Sequence, residues 1–169
     1  DRKLRYIRME RAHAAEMDKR YVQEGLDSNF FEAGFAVPYI SPGPNRNGVC
    51  IISCGYMLGR ALHVAKKINA DVVDLFKIKN FNGDKFNDFI SNYDKLITLE
   101  EQTLSGGFGS AVCEQLVDSD LLISLLRLGL PEKYIFENGS RDYLLDSNGL
   151  STNKIIEKAR NFLNENDRK

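Results

Sequence analysis

The chain is poor in the residues that most often carry a binding chemistry. Its 169 residues include three cysteines and two histidines. Cys50, Cys54 and Cys113 are too few for a disulfide framework and fit a reducing compartment. Cys50 and Cys54 stand on one face of an expected strand. With no CxxC spacing and no histidine cluster beside them, buried thiols are a better reading than a redox or metal pair. His13 and His63 are far apart, and neither has a partner nearby in the sequence. There is no HExxH helix, no nucleophile elbow and no calcium loop. No apolar run approaches the ~18–20 residues that span a bilayer. The formal net charge of −1 gives no reason to expect nucleic acid or an anionic membrane as partner. No signal peptide is visible, although the chain begins at Asp1 rather than Met, which leaves room for a preceding segment.

What is present is a core. The length and the 43% hydrophobic content predict one compact domain with a short appendage. Its organising stretch is Leu96–Leu116, LITLEEQTLSGGFGSAVCEQL. Leu96-Ile97-Thr98-Leu99 predicts a buried strand. Ser105-Gly106-Gly107 predicts a turn that needs residues tolerant of positive φ. Phe108, Ala111, Val112 and Leu116 then fall on one face of a helix. Two readings of the glycine turn are open. Free N–H groups at a helix N-terminus can cradle an anion, or the glycines let helix and strand pack closely. The turn matches neither the dinucleotide fingerprint nor a P-loop, because no Lys-Ser/Thr follows the glycines, so packing is preferred.

Along the chain, Leu4–Met9 (LRYIRM) alternates apolar and basic residues and predicts a short strand. Arg2, Lys3, Arg5, Arg8 and Arg11 concentrate positive charge there, but Glu10, Glu16 and Asp18 offset it. Ala12–Ser28 reads as a linker and Phe30–Ile40 as an edge strand interrupted by Gly34 and Pro38. Ser41–Gly48 is a loop and Val49–Ser53 a central strand. A helix from Tyr56 ends in Lys66-Lys67, and Val72–Ile78 is the next strand. Asp84 is expected to start a short helix carrying Phe86, Phe89, Ile90 and Tyr93. Leu121–Leu128 fits strand or helix, and the breakers on either side favour strand. Helices are expected at Arg141–Asp146 and Thr152–Leu163, the second capped by Ser151. Alternating strands and helices predict an α/β fold: three α/β/α layers around a five-stranded, mostly parallel sheet, with an antiparallel edge strand first.

The stretch LITLEEQTLSGGFGSAVCEQL resembles the strand, turn and helix of the C-terminal domain of transketolase-family thiamine-diphosphate enzymes. That family shows a hydrophobic strand, a Glu-Glu pair and then Gly-Gly-x-Gly-Ser-Ala-Val opening a helix. RLGLPEKYIFENGSRDYLLDSNGL resembles the family's closing segment, in the form of the deoxyxylulose-phosphate synthase branch. The plan is shared with transketolase and with the β chains of 2-oxo-acid dehydrogenases. YIRMER resembles the last strand of the preceding pyrimidine-binding domain, which ends in an arginine that binds the acceptor sugar's phosphate. Arg11 stands at that position and Arg8 where a second arginine often occurs. An arginine fork can grip phosphate oxygens bidentately. A surface salt bridge is the other reading of Arg11.

The resemblance implies that residues 1–28 close a pyrimidine-binding domain and its linker, and that 29–169 form the transketolase-like C-terminal domain. It implies a transferase moving two-carbon units to a phosphorylated aldehyde, with thiamine diphosphate and magnesium in the complete enzyme. This chain lacks the Gly-Asp-Gly…Asn pattern that holds them, and it starts after the place of the pyrimidine-activating glutamate. Asn82-Gly83-Asp84 reads as a turn and cap instead. The chain alone is therefore expected to bind no cofactor and to be inactive. Its expected partners are the remaining domains or a subunit carrying the cofactor site, a second copy in a homodimer, and a sugar phosphate; the expected compartment is the cytoplasm. Gly106, Gly107 and Phe108 are expected to form an apolar docking turn, with Phe108 in the core as the alternative. Two other classes stay open: a non-catalytic α/β interaction module or dehydrogenase β-chain-like subunit, and a nucleotide- or flavin-binding domain.

Overall fold

The computed structural model describes residues 32–42, 48–79 and 81–165. The expected strand at Leu4–Met9 and the linker after it lie outside them. Five strands form one sheet: β1 (Ala36–Tyr39), β2 (Val49–Ser53), β3 (Asp71–Asp74), β4 (Lys95–Thr103) and β5 (Ser124–Leu130). Their spatial order is β1-β3-β2-β4-β5. β1 pairs antiparallel with β3 at the edge, and the other pairings are parallel. Among the described residues the α-helices are α1 (Met57–Ile68), α2 (Gly83–Ile90), α3 (Phe108–Asp118), α4 (Arg141–Leu145) and α5 (Thr152–Asn164), with a π-helical turn at Asp146–Leu150 between the last two.

The sheet is covered on both faces, which is why β2 reads as an unbroken apolar run. Val49 and Ile51 point into a core shared with α1 and α5, including Ala61, Val64, Ile155 and Ala159. Cys50 and Ile52 point into the other core, with Phe86 and Ile90 of α2 and Phe108, Val112 and Leu116 of α3. The expected three-layer α/β/α architecture with an antiparallel edge strand is the one observed.

Polar ties fix the layers. Asp71 accepts from Ser41 N–H at 2.7 Å and from the Tyr93 hydroxyl at 2.6 Å, joining three segments inside the protein. The Lys95 ammonium reaches the end of α5, donating to the carbonyls of Phe162, Leu163 and Glu165 at 2.9, 3.4 and 2.8 Å. Those carbonyls have no partner within the helix, and a cation there also meets the negative end of its dipole.

Several boundaries differ from those read in the sequence. β3 stops at Asp74 rather than Ile78, because its neighbour β2 ends opposite it, at Ser53. Leu75 stays buried, whereas Phe76 and Ile78 emerge. β4 continues to Thr103 along β5, so Glu100 and Glu101 belong to the strand. β5 begins at Ser124, because Leu121 N–H closes α3 by bonding to Leu116 O at 2.9 Å. The cap of α2 is Asn82, whose side chain accepts from Lys85 N–H, and Asp84 lies within the first turn.

Candidate functional site

In an open parallel sheet, binding sites form at the carboxyl ends of the strands where the chain reverses its direction of winding. Here that place is between β2 and β4, because β3 lies on one side of β2 and β4 on the other. Three groups of residues meet there: the glycine turn before α3, Glu100 with Glu101 on β4, and the start of α1.

Gly106 is exposed at φ +70°, and Gly107 is the buried N-cap of α3 at φ −70°. The side chain beneath them is Glu100, 1% exposed. A Cβ on Gly107 would lie 2.0 Å from Glu100 Oε2 and 2.6 Å from the Thr103 carbonyl. One on Gly109 would lie 2.6 Å from Glu100 Oε1, 2.8 Å from Thr98 Oγ1 and 3.0 Å from Arg127 Nε. The glycines thus let a buried carboxyl group lie directly against the helix N-terminus. The Gly109 N–H donates to it at 3.5 Å. Burial pushes the Glu100 carboxyl above its ordinary range, opposed by the Gly109 amide, by Arg127 and by the Phe108 amide. Arg127 Nη2 also donates to Leu104 O and, at 2.9 Å, to Ser110 Oγ, holding the turn from below. The helix N-terminus therefore already faces an acidic group of its own chain. The packing reading of the turn describes this geometry, and the anion-cradle reading loses its open amides.

On the other side of the crevice, Arg141 reaches over from α4. It donates to Glu101 through Nε at 2.8 Å and Nη2 at 2.5 Å, a bidentate pair. Its guanidinium stacks on Tyr56 at 3.9 Å from the ring centroid. The Tyr56 hydroxyl donates to Asp142 at 2.8 Å, and Arg60 bonds Asp142, Asp146 and the Leu150 carbonyl. Burial opposes the Arg60 charge, but its bonds to Asp146 and Asp142 outweigh that and hold it firmly protonated. Arg60, then Tyr56, keeps Asp142 below the usual carboxylate range, and the bond to Asp142 raises the Tyr56 hydroxyl in turn. This clasp joins α1, β4 and α4 across the place where a doubly wound domain would admit a nucleotide.

Arg8 and Arg11 lie outside the described residues. Phe108 is 3% exposed and packs with Val112 and Leu116 in the core. It therefore contributes nothing to an apolar surface, and the expected docking patch does not include it. Among the described residues, the strongly exposed apolar side chains are instead Leu122, Tyr134, Phe136 and Val117. Sequence reasoning missed the clasp of Tyr56, Arg60 and Asp142, and the roles of Glu100 and Arg127. Arg141 had a signal in the Gly-Ser-Arg of the closing segment, and Glu100 and Glu101 in the Glu-Glu pair before the glycine turn.

The described residues do not fit magnesium diphosphate. No group of three His, Cys, Asp or Glu among the described residues is placed to hold a metal. Asn82 is engaged as a helix cap. The switch-point crevice is occupied by the Glu101–Arg141–Tyr56 stack.

Residues 43–155 match the family described as transketolase, C-terminal domain. The 1-deoxy-D-xylulose-5-phosphate synthase of Haemophilus influenzae (strain PittGG) is 39% identical over 115 residues, covering 68% of this chain and 18% of that protein. The synthase of Thioalkalivibrio sulfidiphilus is 36% identical over 118 residues, covering 70% and 18%. The chain thus spans about a fifth of the length of these relatives. A solved split gene transketolase, an inactive β4 tetramer, superposes with a TM-score of 0.64 at 25% identity over 78% of this chain and 43% of that one. Transketolase from Leishmania mexicana superposes with a TM-score of 0.56 over 83% and 18% at 14% identity, a likeness of fold alone.

Proposed function

The chain belongs to the transketolase C-terminal domain family, and from that premise we propose that it is the closing part of a two-carbon transferase that works with thiamine diphosphate and magnesium. The observation that carries this reading is the match over residues 43–155 together with relatives named 1-deoxy-D-xylulose-5-phosphate synthase. The described residues supply a sheet covered on both faces and a clasp between β4, α1 and α4, and this part serves domain and subunit assembly. The cofactor site belongs to remaining domains or to a partner subunit.

On this reading residues 29–169 are the assembly domain, and 1–28 end the pyrimidine-binding domain that precedes it. Arg11, with Arg8 beside it, holds the phosphate of the acceptor sugar. The turn at Gly106, Gly107 and Phe108 positions α3 and lies near the contact with the cofactor-bearing part. The assembled enzyme is a homodimer working in the cytoplasm on a sugar phosphate, with neither nucleic acid nor membrane as partner. No helix of the described residues is long and apolar enough to cross a membrane.

Calorimetry separates the cofactor-bearing and assembly roles. Thiamine diphosphate with magnesium should bind the chain only when the cofactor-bearing part is present, and micromolar binding by the chain alone would overturn the assignment.

A further inference from the structure

The sequence holds four Asn-Gly steps, at Asn47, Asn82, Asn138 and Asn148. Each is a reactive pair. The peptide nitrogen of the glycine can attack Cγ of the asparagine and close a five-membered succinimide ring, which is part of why asparagine counts among the thermolabile residues. Glycine eases the attack, because no Cβ shields the nitrogen or restricts the backbone rotation that brings it to Cγ. Two freedoms then set the rate at each site: the side-chain amide must be able to turn, and the backbone must be able to rotate. Asn47 lies outside the described residues, and the other three stand in different surroundings.

Asn82 is held from several directions. Its side chain accepts from Lys85 N–H at 3.0 Å as the cap of α2, its N–H donates to Ala33 O at 2.8 Å, and its carbonyl accepts from Phe86 N–H at 3.0 Å. Asn148 is half-buried, and its Nδ2 donates to Leu144 O at 2.8 Å within the π-helical turn. Asn138 differs in each respect. It and Gly139 are exposed and belong to neither helix nor strand. Among the described residues, neither of the two makes a hydrogen bond. The same dipeptide is thus locked at two places and loose at a third.

We propose that Asn138–Gly139 is a site of spontaneous covalent modification, converted through a succinimide to aspartate and isoaspartate. The Gly139 nitrogen gives its proton to water and bonds to Asn138 Cγ, while the Cγ–Nδ2 bond breaks and ammonia leaves with a proton taken from water. A second water then opens the ring. Attack at Cγ yields aspartate, and attack at the main-chain carbonyl carbon yields isoaspartate. Nothing is oxidised or reduced; water enters and ammonia leaves. Both products carry a carboxylate where a neutral amide stood, and isoaspartate also routes the main chain through Cβ, lengthening it by one carbon. That lengthening falls beside the clasp. The Tyr143 ring lies against Gly139, in the space that a Cβ would need. Ser140, the next residue, caps α4 by accepting from Tyr143 N–H at 3.2 Å, and Arg141 after it grips Glu101. A displaced Gly139 therefore disturbs the cap, and isoaspartate loosens the start of α4.

Incubation of the chain at neutral pH tests this. Mass spectrometry of its peptides follows the exchange of –NH2 for –OH at Asn82, Asn138 and Asn148, with a parallel incubation in guanidinium chloride to remove the structure. In the folded chain Asn138 should convert at least about tenfold faster than the other two, which must first give up hydrogen bonds. In denaturant the three rates should converge. The modified Asn138 peptide should accept a methyl group from S-adenosylmethionine through an isoaspartate-specific methyltransferase, and amide exchange at Tyr143 should quicken in the modified chain. Asn138→Gln should abolish the product, because its ring would need a sixth member, and should leave thermal unfolding and the other two sites unchanged. Equal rates at the three sites of the folded chain overturn the proposal. So does a lead for Asn138 that persists in denaturant, which would be a property of its neighbours in sequence, or a product without isoaspartate. Unchanged exchange at Tyr143 in a chain carrying isoaspartate overturns the link to the clasp.

Discussion

Gly106 and Gly107 are adjacent, and substituting them should fail for different reasons. At Gly106 nothing lies within 4 Å of an added Cβ, and the demand is conformational, φ +70°. Alanine there should cost about 1–2 kcal/mol, the usual strain of a left-handed L-residue, and asparagine less because it tolerates that region. At Gly107 the backbone is ordinary, φ −70°, and the demand is space. An added Cβ would meet Glu100 Oε2 at 2.0 Å and the Thr103 carbonyl at 2.6 Å. Glu100 has little room to retreat, since it is buried and lies so near Gly109 and Gly129 that a Cβ on either would meet its Oε1 or Cγ within 3.0 Å. Gly107→Ala should therefore cost about 3 kcal/mol, the upper end for overpacking, and asparagine should be worse. Adding Glu100→Ala should recover only part of this, because the Thr103 carbonyl remains. Urea unfolding midpoints measure all of these. The reasoning fails if Gly107→Ala costs no more than Gly106→Asn, or if asparagine is tolerated equally at both positions.

Three other outcomes follow from the same contacts. Burial raises the Glu100 pKa above 4.5, so the folded chain holds that proton to higher pH than the unfolded one. Its contribution is fully present below about 4.5 and is lost as pH rises through the folded value; Glu100→Gln should flatten this slope in urea midpoints taken across that window. Lys95→Met should expose the end of α5, costing about 1–2 kcal/mol and speeding amide exchange in its last turn. In the assembled enzyme, Arg11→Ala should lower kcat/KM for a phosphorylated acceptor by about ten- to a hundredfold, from roughly 1.5–3 kcal/mol of charge-assisted binding. It should do far less with an unphosphorylated acceptor, and Arg11→Lys should recover part. Equal loss on both acceptors would make Arg11 structural.

Legibility followed how local each determinant is. Val49–Ser53 was readable to its ends because a strand covered on both faces is apolar throughout. The helix from Met57 and the Ser151 cap were equally local signals. β3 looks longer in the sequence than it is, because Leu75, Phe76 and Ile78 continue its apolar pattern after its partner has stopped. β5 looks earlier in the sequence than it is, because Leu121 is apolar yet belongs to the closure of α3. Glu100 was the hardest residue to place. An acidic pair ahead of a glycine turn has the composition of a solvated loop, and only the packing of Gly107, Gly109 and Gly129 shows that its first member is buried. The clasp of Arg141 on Tyr56 and Glu101 joins residues 85 and 40 positions apart, a relation that no periodicity carries.

The most direct measurement is two-carbon transfer by reconstitution. The chain is combined with a polypeptide of its own source that carries the Gly-Asp-Gly…Asn segment and the pyrimidine-activating glutamate, and turnover of a phosphorylated aldehyde is followed with thiamine diphosphate and magnesium present. Neither polypeptide alone should turn over, and the mixture should, with activity rising to saturation as this chain is added. Full activity of the cofactor-bearing polypeptide without this chain, or none in a mixture shown to associate, would contradict its assignment as the closing part of the enzyme.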